Sequence, residues 1–365
     1  MSEYLIQGDT LTGIADAIRE KVGSSDGIDP AQMAEMIAGI QSGGGAPVVE
    51  KDVNFYDYDG TLLYSYTVAE AQALTELPAG PEHEGLVFQK WNWSLESVKA
   101  LTRAMNIGAL YTTDDGTTRL YIHLEEGRTS PMVGVCPNGT VTVDWGDGTT
   151  PDTLTGTSIS TVKWTPNHEY AAPGDYVIRL TVDGEMHLRG DSSSNGSAYV
   201  LRYSNAADAR NKVYQNALQK IEIGNGVTSI ESYTFYKCSS LSSVSIPNGV
   251  TSIGSSAFYY CSSLSSIVIP DSVTSIGSSA FYNCSSLSSI VIPNGVTSIE
   301  SYTFNGCYGV RFYDFSNHAF VPTLSAANAF NSTPADCEIR VPAALYDEWI
   351  AATNWSTYAD YIVAV

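Results

Sequence analysis

The chain has 365 residues, enough for two or three domains with cores of their own. Its 39 acidic and 18 basic residues give a formal charge of −21, and no cluster of Lys and Arg interrupts that acidity. This excludes phosphate-led binding to nucleic acid and adhesion to anionic lipid, both of which need basic patches.

Only 16% of the residues are charged, while Ser, Thr, Gly and Tyr abound, a balance that suits a mainly β, multidomain, repetitive protein. The opening MSEYLIQGDT lacks the basic and apolar regions of a signal peptide, and YADYIVAV at the other end is no sorting signal. The expectation is assembly in a cytoplasm with release by lysis. No run of 18 apolar residues occurs, so membrane insertion is not expected.

Residues 1–42 have the pattern of a helical hairpin. Leu11, Ile14, Ile18 and Val22 form one apolar stripe, closed by Gly23. Asp29 and Pro30 open a second helix with the stripe Met33, Met36, Ile37 and Ile40. Two short helices need a partner or copies of themselves to bury such stripes. Residues 43–51, with Gly43–Gly45, form a flexible linker. The segment YLIQGDTLTGIADAIREKVGSSDGIDPAQMAEMIAGI resembles the N-terminal segment of tail and baseplate-associated proteins of phages and prophages of gut Firmicutes. The resemblance implies an anchor to phage tail or baseplate proteins, a virion location and a homotrimer. A generic oligomerisation hairpin is the alternative.

Residues 52–128 alternate aromatic and polar residues around Asp-Gly turns, the pattern of β-hairpins. VNFYDYDGTLLYSYTV and GPEHEGLVFQKWNWS resemble the β-grasp-like B-repeats of bacterial surface proteins, with Gln89-Lys90 replacing their usual glycine step before Trp91. Asp57, Asp59 and Gly60 form D-x-D-G. This is a plain turn or one part of a calcium loop whose other ligands are missing.

Residues 129–190 hold GTVTVDWGDGTTPDTL and HEYAAPGDYVIRLTV. Val141 and Val143 alternate with polar residues as on a half-buried strand, and Asp147-Gly148 makes a tight turn. Trp145–Thr149 and His168 to Tyr176 resemble the hallmarks of the polycystic-kidney-disease (PKD) immunoglobulin-like sandwiches. The resemblance implies a spacer or adhesion module in which Asp144, Asp147 and His168 are structural. Residues 191–214 are a polar connector.

From residue 215 the chain repeats with a period of 23, in coils 215–237, 238–260, 261–283 and 284–306, followed by an irregular fifth in which Phe304 and Phe330 lie 26 residues apart. A fixed period of this size means a solenoid whose coils bury one another. The consensus CSSLSSIVIPNGVTSIGSSAFYN resembles the BspA-type leucine-rich repeats over residues 215–342. In one coil the inward set is Leu264, Ile267, Ile269, Val273, Ile276, Phe281 and Cys284. Cys238, Cys261, Cys284 and Cys307 recur once per coil without any C-x-x-C pair. They read as buried small hydrophobes, neither zinc ligands nor nucleophiles, although coil spacing alone permits a bridge.

The outward position of the first strand is Glu222, Ser245, Val268 and Val291 in successive coils. Around the turns lie Tyr233, Tyr236, Tyr259, Tyr260, Tyr282, Tyr302 and Tyr308. With Glu222 they form the candidate ligand surface, since Tyr offers large contact area at little entropy cost. Packing of some of these rings along the solenoid's side is the other reading. Residues 343–365 have a helical pattern after Pro342 and are expected to cap the solenoid.

No HExxH, GxSxG or phosphate loop occurs, and the five histidines at 83, 123, 168, 187 and 318 are scattered. No catalytic residue, metal or cofactor is assigned. The expected function is a virion-attached adhesin whose repeats bind a bacterial surface glycan or protein. The alternative is a bacterial leucine-rich-repeat adhesion protein unattached to a virion.

Overall fold

The structure, a computed structural model, describes residues 53–99, 101, 105–188, 200–202, 214 and 216–365. The helical stripes of residues 1–42 and the glycine-rich linker lie outside the described residues, as does most of the connector. Residues from Lys51 onward form one compact unit.

That unit begins with strands β1 (Val53–Tyr56), β2 (Leu62–Tyr66), β3 (Leu86–Trp91) and β4 (Met105–Thr113), in the order β2-β1-β4-β3. The central pair β1 and β4 is parallel, and both outer pairs are antiparallel. A short helix, Val68–Gln72, starts on a capping box in which Thr67 and Glu70 satisfy each other's backbone N–H. Phe55, Trp91 and Tyr111 pack with Val53 and Ile107 into a core separate from the rest.

Strands β5 (Thr118–Leu124), β6 (Met132–Asp144), β7 (Asp152–Thr157), β8 (Lys163–Trp164), β9 (Gly174–Leu188) and β10 (Leu201–Arg202) follow. Long β6 pairs with β7, β8, β9 and β10, and β9 pairs with β5. Val141 and Val143 are buried, as their alternation predicts. The grouping of residues 52–128 needs correction, because β5 joins the sheet of β9 and not that of β1–β4. Its register on β9, from Thr118 opposite Leu180 to Leu124 opposite Gly174, buries Leu120, Ile122 and Leu124 in the larger core.

The repeats then wind as a solenoid with three backbone ladders. The first runs in two stretches, β11 (Leu218–Glu222) with β13 (Ser243–Ser245), then β16 (Ser289–Val291) with β18 (Phe312–Asp314), β20 (Glu338–Val341) and β21 (Ile362–Ala364), the third coil between them adding no strand to this ladder. The second contains β12 (Val227–Ile230), β14 (Ser252–Ile253), β15 (Ser275–Ile276), β17 (Ser298–Ile299) and β19 (Thr323–Leu324). The third runs through the turns, where Phe235, Phe258 and Phe281 donate their N–H groups to Ala257, Ala280 and Thr303. Pairing on all three sides accounts for the strict period, since an extra residue in one coil breaks a ladder to the next.

Inside, Phe235, Phe258, Phe281 and Phe304 stack with ring centroids 5.2, 5.3 and 5.6 Å apart. Phe330 continues the column at 5.5 Å, so the longer fifth coil loops outward without losing register. Leu264, Ile267, Ile269, Val273, Ile276, Phe281 and Cys284 are all buried, as the pattern predicts.

Both ends of this described solenoid are covered. At its start, β5 pairs antiparallel with β11 and β9 pairs parallel with β12, so the sheet of β5 and β9 runs on into the first coil. Open strand edges are thereby paired. At its end, three short helical segments, Ala343–Leu345, Tyr346–Ala351 and Trp355–Tyr361, bring Trp349 and Trp355 onto Phe315 and Phe330. The expectation of a purely helical cap is corrected here: the chain turns back and adds β21 to β20, because the last coil's strand still needs hydrogen-bond partners. No helix among the described residues is long and apolar enough to cross a membrane.

Candidate binding surface

The outward residues of the first strand are not a free surface. Glu222 and Ser245 are each 2% exposed and Val268 is 7% exposed, while Val291 packs on the core of the β1–β4 unit. That unit lies across Ser245, Val268 and Val291, while β5 lies against Glu222. Gly108 of β4 faces Val268, Ser245 Oγ donates to Tyr111 O at 3.4 Å, and Asn248 N donates to Gln89 Oε1 at 3.0 Å. Lys90 forms an ion pair with Asp271 at 2.9 Å. Glu222 is therefore corrected from a surface ligand to a buried anchor. Its carboxylate accepts from Tyr121 OH at 2.9 Å, pairs with Lys220 Nζ at 2.8 Å and lies 3.6 Å from Arg119 Nη1. Burial works against the charge of Lys220, yet Glu222 and Tyr58 hold its ammonium above the usual range. Burial, reinforced by Glu222, pushes the Tyr121 hydroxyl up to about 12.

The tyrosines divide into two sets. Tyr236, Tyr259 and Tyr282 are half-buried and stacked face to face, with centroids 4.7 Å apart at both steps. Tyr233 is also half-buried and leans on Tyr236 at 5.6 Å. Tyr260, Tyr302 and Tyr308 project, at 41, 45 and 59% exposure. Packing along the solenoid's side thus holds for Tyr236, Tyr259 and Tyr282, while Tyr260, Tyr302 and Tyr308 stay exposed. The backbone beneath them repeats an uncommon feature. Tyr233, Ser256, Ser279 and Tyr302 have φ between 55 and 63°, as do Lys237, Tyr260 and Asn283 near 54–59°. Gly306 occupies the next equivalent position at φ 77°, where glycine carries no steric penalty. Non-glycine residues held at positive φ are sparse, and the turn ladder fixes them here. Sequence reasoning missed these positions because Tyr, Lys and Ser do not signal them.

The cysteines are free and buried. Cys261, Cys284 and Cys307 each donate Sγ–H to a carbonyl 26 residues earlier, those of Phe235, Phe258 and Phe281, at 3.1 Å. Burial raises all these thiols, Cys307 to about 12.

The remaining chemical candidates brace turns. Asp147 accepts from Thr149 N, Thr149 Oγ1 and His168 Nε2, and His168 stacks on Trp145 at 4.4 Å. Burial opposes the charge of Asp147, but these partners hold its carboxyl below the usual range. Asp144 caps Gly146 N. In the D-x-D-G turn, Asp57 turns to Tyr58 N and His83, while Asp59 accepts from Thr61 N, so the two carboxylates serve separate partners. Among the described residues no three His, Cys, Asp or Glu side chains gather into a metal-holding group.

With this geometry in view, residues 210–333 match the family model of the BspA type leucine rich repeat region, in six copies. The repeats are BspA-type leucine-rich repeats. Among solved structures, the chain is similar to a leucine rich repeat protein of T. pallidum, with 30% identity over 33% of this chain and 56% of that one (TM-score 0.30). A leucine rich cell surface protein of Faecalibacterium prausnitzii matches at 28% identity over 44% of each chain (TM-score 0.27). A leucine-rich repeat protein of Bacteroides ovatus matches at 21% identity over 45% of this chain and 56% of that one (TM-score 0.27). The chain spans about half the length of the structures it matches. No curated protein matches.

Proposed function

We propose that the protein is a non-enzymatic bacterial leucine-rich-repeat adhesion protein that binds a surface glycan or protein through its tyrosine edge. The observation that carries this is the exposure of Tyr260, Tyr302 and Tyr308, the first two in ring contact with the column of stacked Tyr236, Tyr259 and Tyr282. Amphipathic rings with few torsions suit contact at low entropic cost, and the ladder beneath pre-organises them. The BspA-type repeats support the reading. The parallel centre of β1 and β4 supports a β-grasp-like spacer. The Trp145, Asp147 and His168 cluster supports a PKD-like one, and such modules would hold the repeats away from an attachment point.

Virion attachment, the leading expectation from the sequence, drew its anchor from residues 1–42, which lie outside the described residues, and none of the matches supports it. The proposal therefore stands without a virion. The test is binding of the full chain to bacterial cells and to a glycan array, beside the triple variant Tyr260→Ser, Tyr302→Ser, Tyr308→Ser. Lost binding by a variant that still melts like the parent is the expected result. Undiminished binding would sink the assignment. Deleting residues 1–42 and looking for the protein on particles tests the virion reading separately.

A further inference from the structure

The β1–β4 unit leaves part of the strand face uncovered. Between the unit and coils 261–291 opens a cleft of about 240 Å³, walled by Tyr56, Asp59, Asn92 and Asn106 on one side and by Ser266 and Ser289 on the other. It adjoins a second hollow of about 330 Å³ that shares Asn92 and Val291 and reaches Trp93 and Asn294. Together they lie within the usual ~300–1,000 Å³ of small-molecule sites.

Asn92 is the informative residue. It is 6% exposed, and its Oδ1 accepts Gly108 N at 2.9 Å. Among the described residues nothing accepts from its Nδ2, yet Asn92 lines both hollows. The amide is held in place by its own oxygen, and its Nδ2 opens onto the hollows, where water or a ligand oxygen can accept from it. Around it the groups are neutral and of mixed character. Asn106 Nδ2 reaches Ser289 Oγ only at 3.4 Å, and the Ser266 hydroxyl stands on the facing wall. Val268 and Gly108 supply an apolar floor. Among the described residues no Lys, Arg or His lines either hollow; Asp271 is paired with Lys90, and Asp59 would repel an anion.

We propose that this cleft binds neutral sugar units of a polysaccharide. Such a ligand offers hydroxyl acceptors to Asn92 Nδ2 and hydroxyl donors to Asp59 and the serines. Its C–H face suits Tyr56 and the Val268 floor. The adjoining hollow continues the site for a further unit. This site is separate from the tyrosine edge, so either assignment can fail without the other.

The test is calorimetric titration of the full-length chain with neutral trisaccharides (maltotriose, cellotriose, mannotriose, N-acetylchitotriose), with 3′-sialyllactose and with an uncharged Gly/Ser peptide. Binding of at least one neutral trisaccharide and none of the sialylated sugar is expected. Asn92→Asp keeps the acceptor for Gly108 N, removes the donor and adds a negative charge. It should weaken that binding about tenfold or more. Because a buried carboxylate can disturb folding, Ser266→Trp provides a second variant at a half-exposed wall position; it should block the cleft while the melting temperature stays put. Silence from every neutral sugar, preference for the peptide or the sialylated sugar, or full binding by both variants overturns the proposal.

Discussion

Gly108 of β4 faces Val268 of the third coil so closely that a Cβ on Gly108 would lie 2.4 Å from Val268 Cγ2. The contact seats the β1–β4 unit on the strand face of the repeats. Gly108→Val should therefore destabilise the protein by about 1–3 kcal/mol through overpacking. Limited proteolysis should show faster cleavage between the unit and the repeats. Unchanged digestion and melting would mean that the face is not held this way.

Glu222 joins β11 of the first coil to β5 through Tyr121 and Arg119. Glu222→Ala removes the carboxylate beside Lys220 and leaves the Tyr121 hydroxyl without its acceptor, while Arg119 keeps Asp114 and Asp115; removing one partner of a buried ion pair costs about 3–5 kcal/mol. Denaturant titration should register this loss. Ligand binding at the tyrosine edge should persist under conditions where the variant remains folded.

Phe281 sits in the middle of the stacked column, fully buried. Phe281→Ala should cost about 3–5 kcal/mol, whereas Tyr308→Ser at the exposed edge should stay within about 0.5 kcal/mol. Comparing the two thermal midpoints checks that the rings inside hold the fold and those outside do not.

All six thiols are buried, and those on the repeat column are pushed above their ordinary range by that burial. A thiol reagent should find almost none of them in the native protein and six after denaturation. Rapid native labelling of Cys261 or Cys284 would contradict the column of S–H donors.

His318 is 3% exposed, and its Nε2 has no partner among the described residues. Burial lowers its pKa against the opposing pull of the Val296 and Phe315 backbone and of Asp314. The folded state therefore binds fewer protons than the unfolded chain below pH ~6.5, so the stabilising share of neutral His318 is complete above that pH and falls away as pH drops. Melting temperature should decline from pH 7 to 5, and His318→Asn should flatten part of that decline. Identical profiles for parent and variant would count against it.

The period of 23, the inward Leu, Ile, Phe and Cys set and the Trp145 turn cluster were all legible in the sequence. Each rests on local or repeated burial, which leaves a pattern in residue type. The tyrosines were legible only as a group. Whether a ring stacks or projects depends on turn geometry, and Tyr260 and Tyr302 sit at positive φ that their residue type does not announce.

What the sequence determined by itself was the solenoid: identical coils must present identical apolar faces to one another, so the copied line specifies its own partner. The tertiary structure alone decided which outer face stays free. Glu222, Ser245 and Val268 look exposed within a coil, but β5 covers the first and the β1–β4 unit, more than a hundred residues earlier in the chain, covers the other two and leaves a cleft beside Asn92. Contacts at that separation follow from how separate sheets dock, and docking leaves no period in the sequence to read.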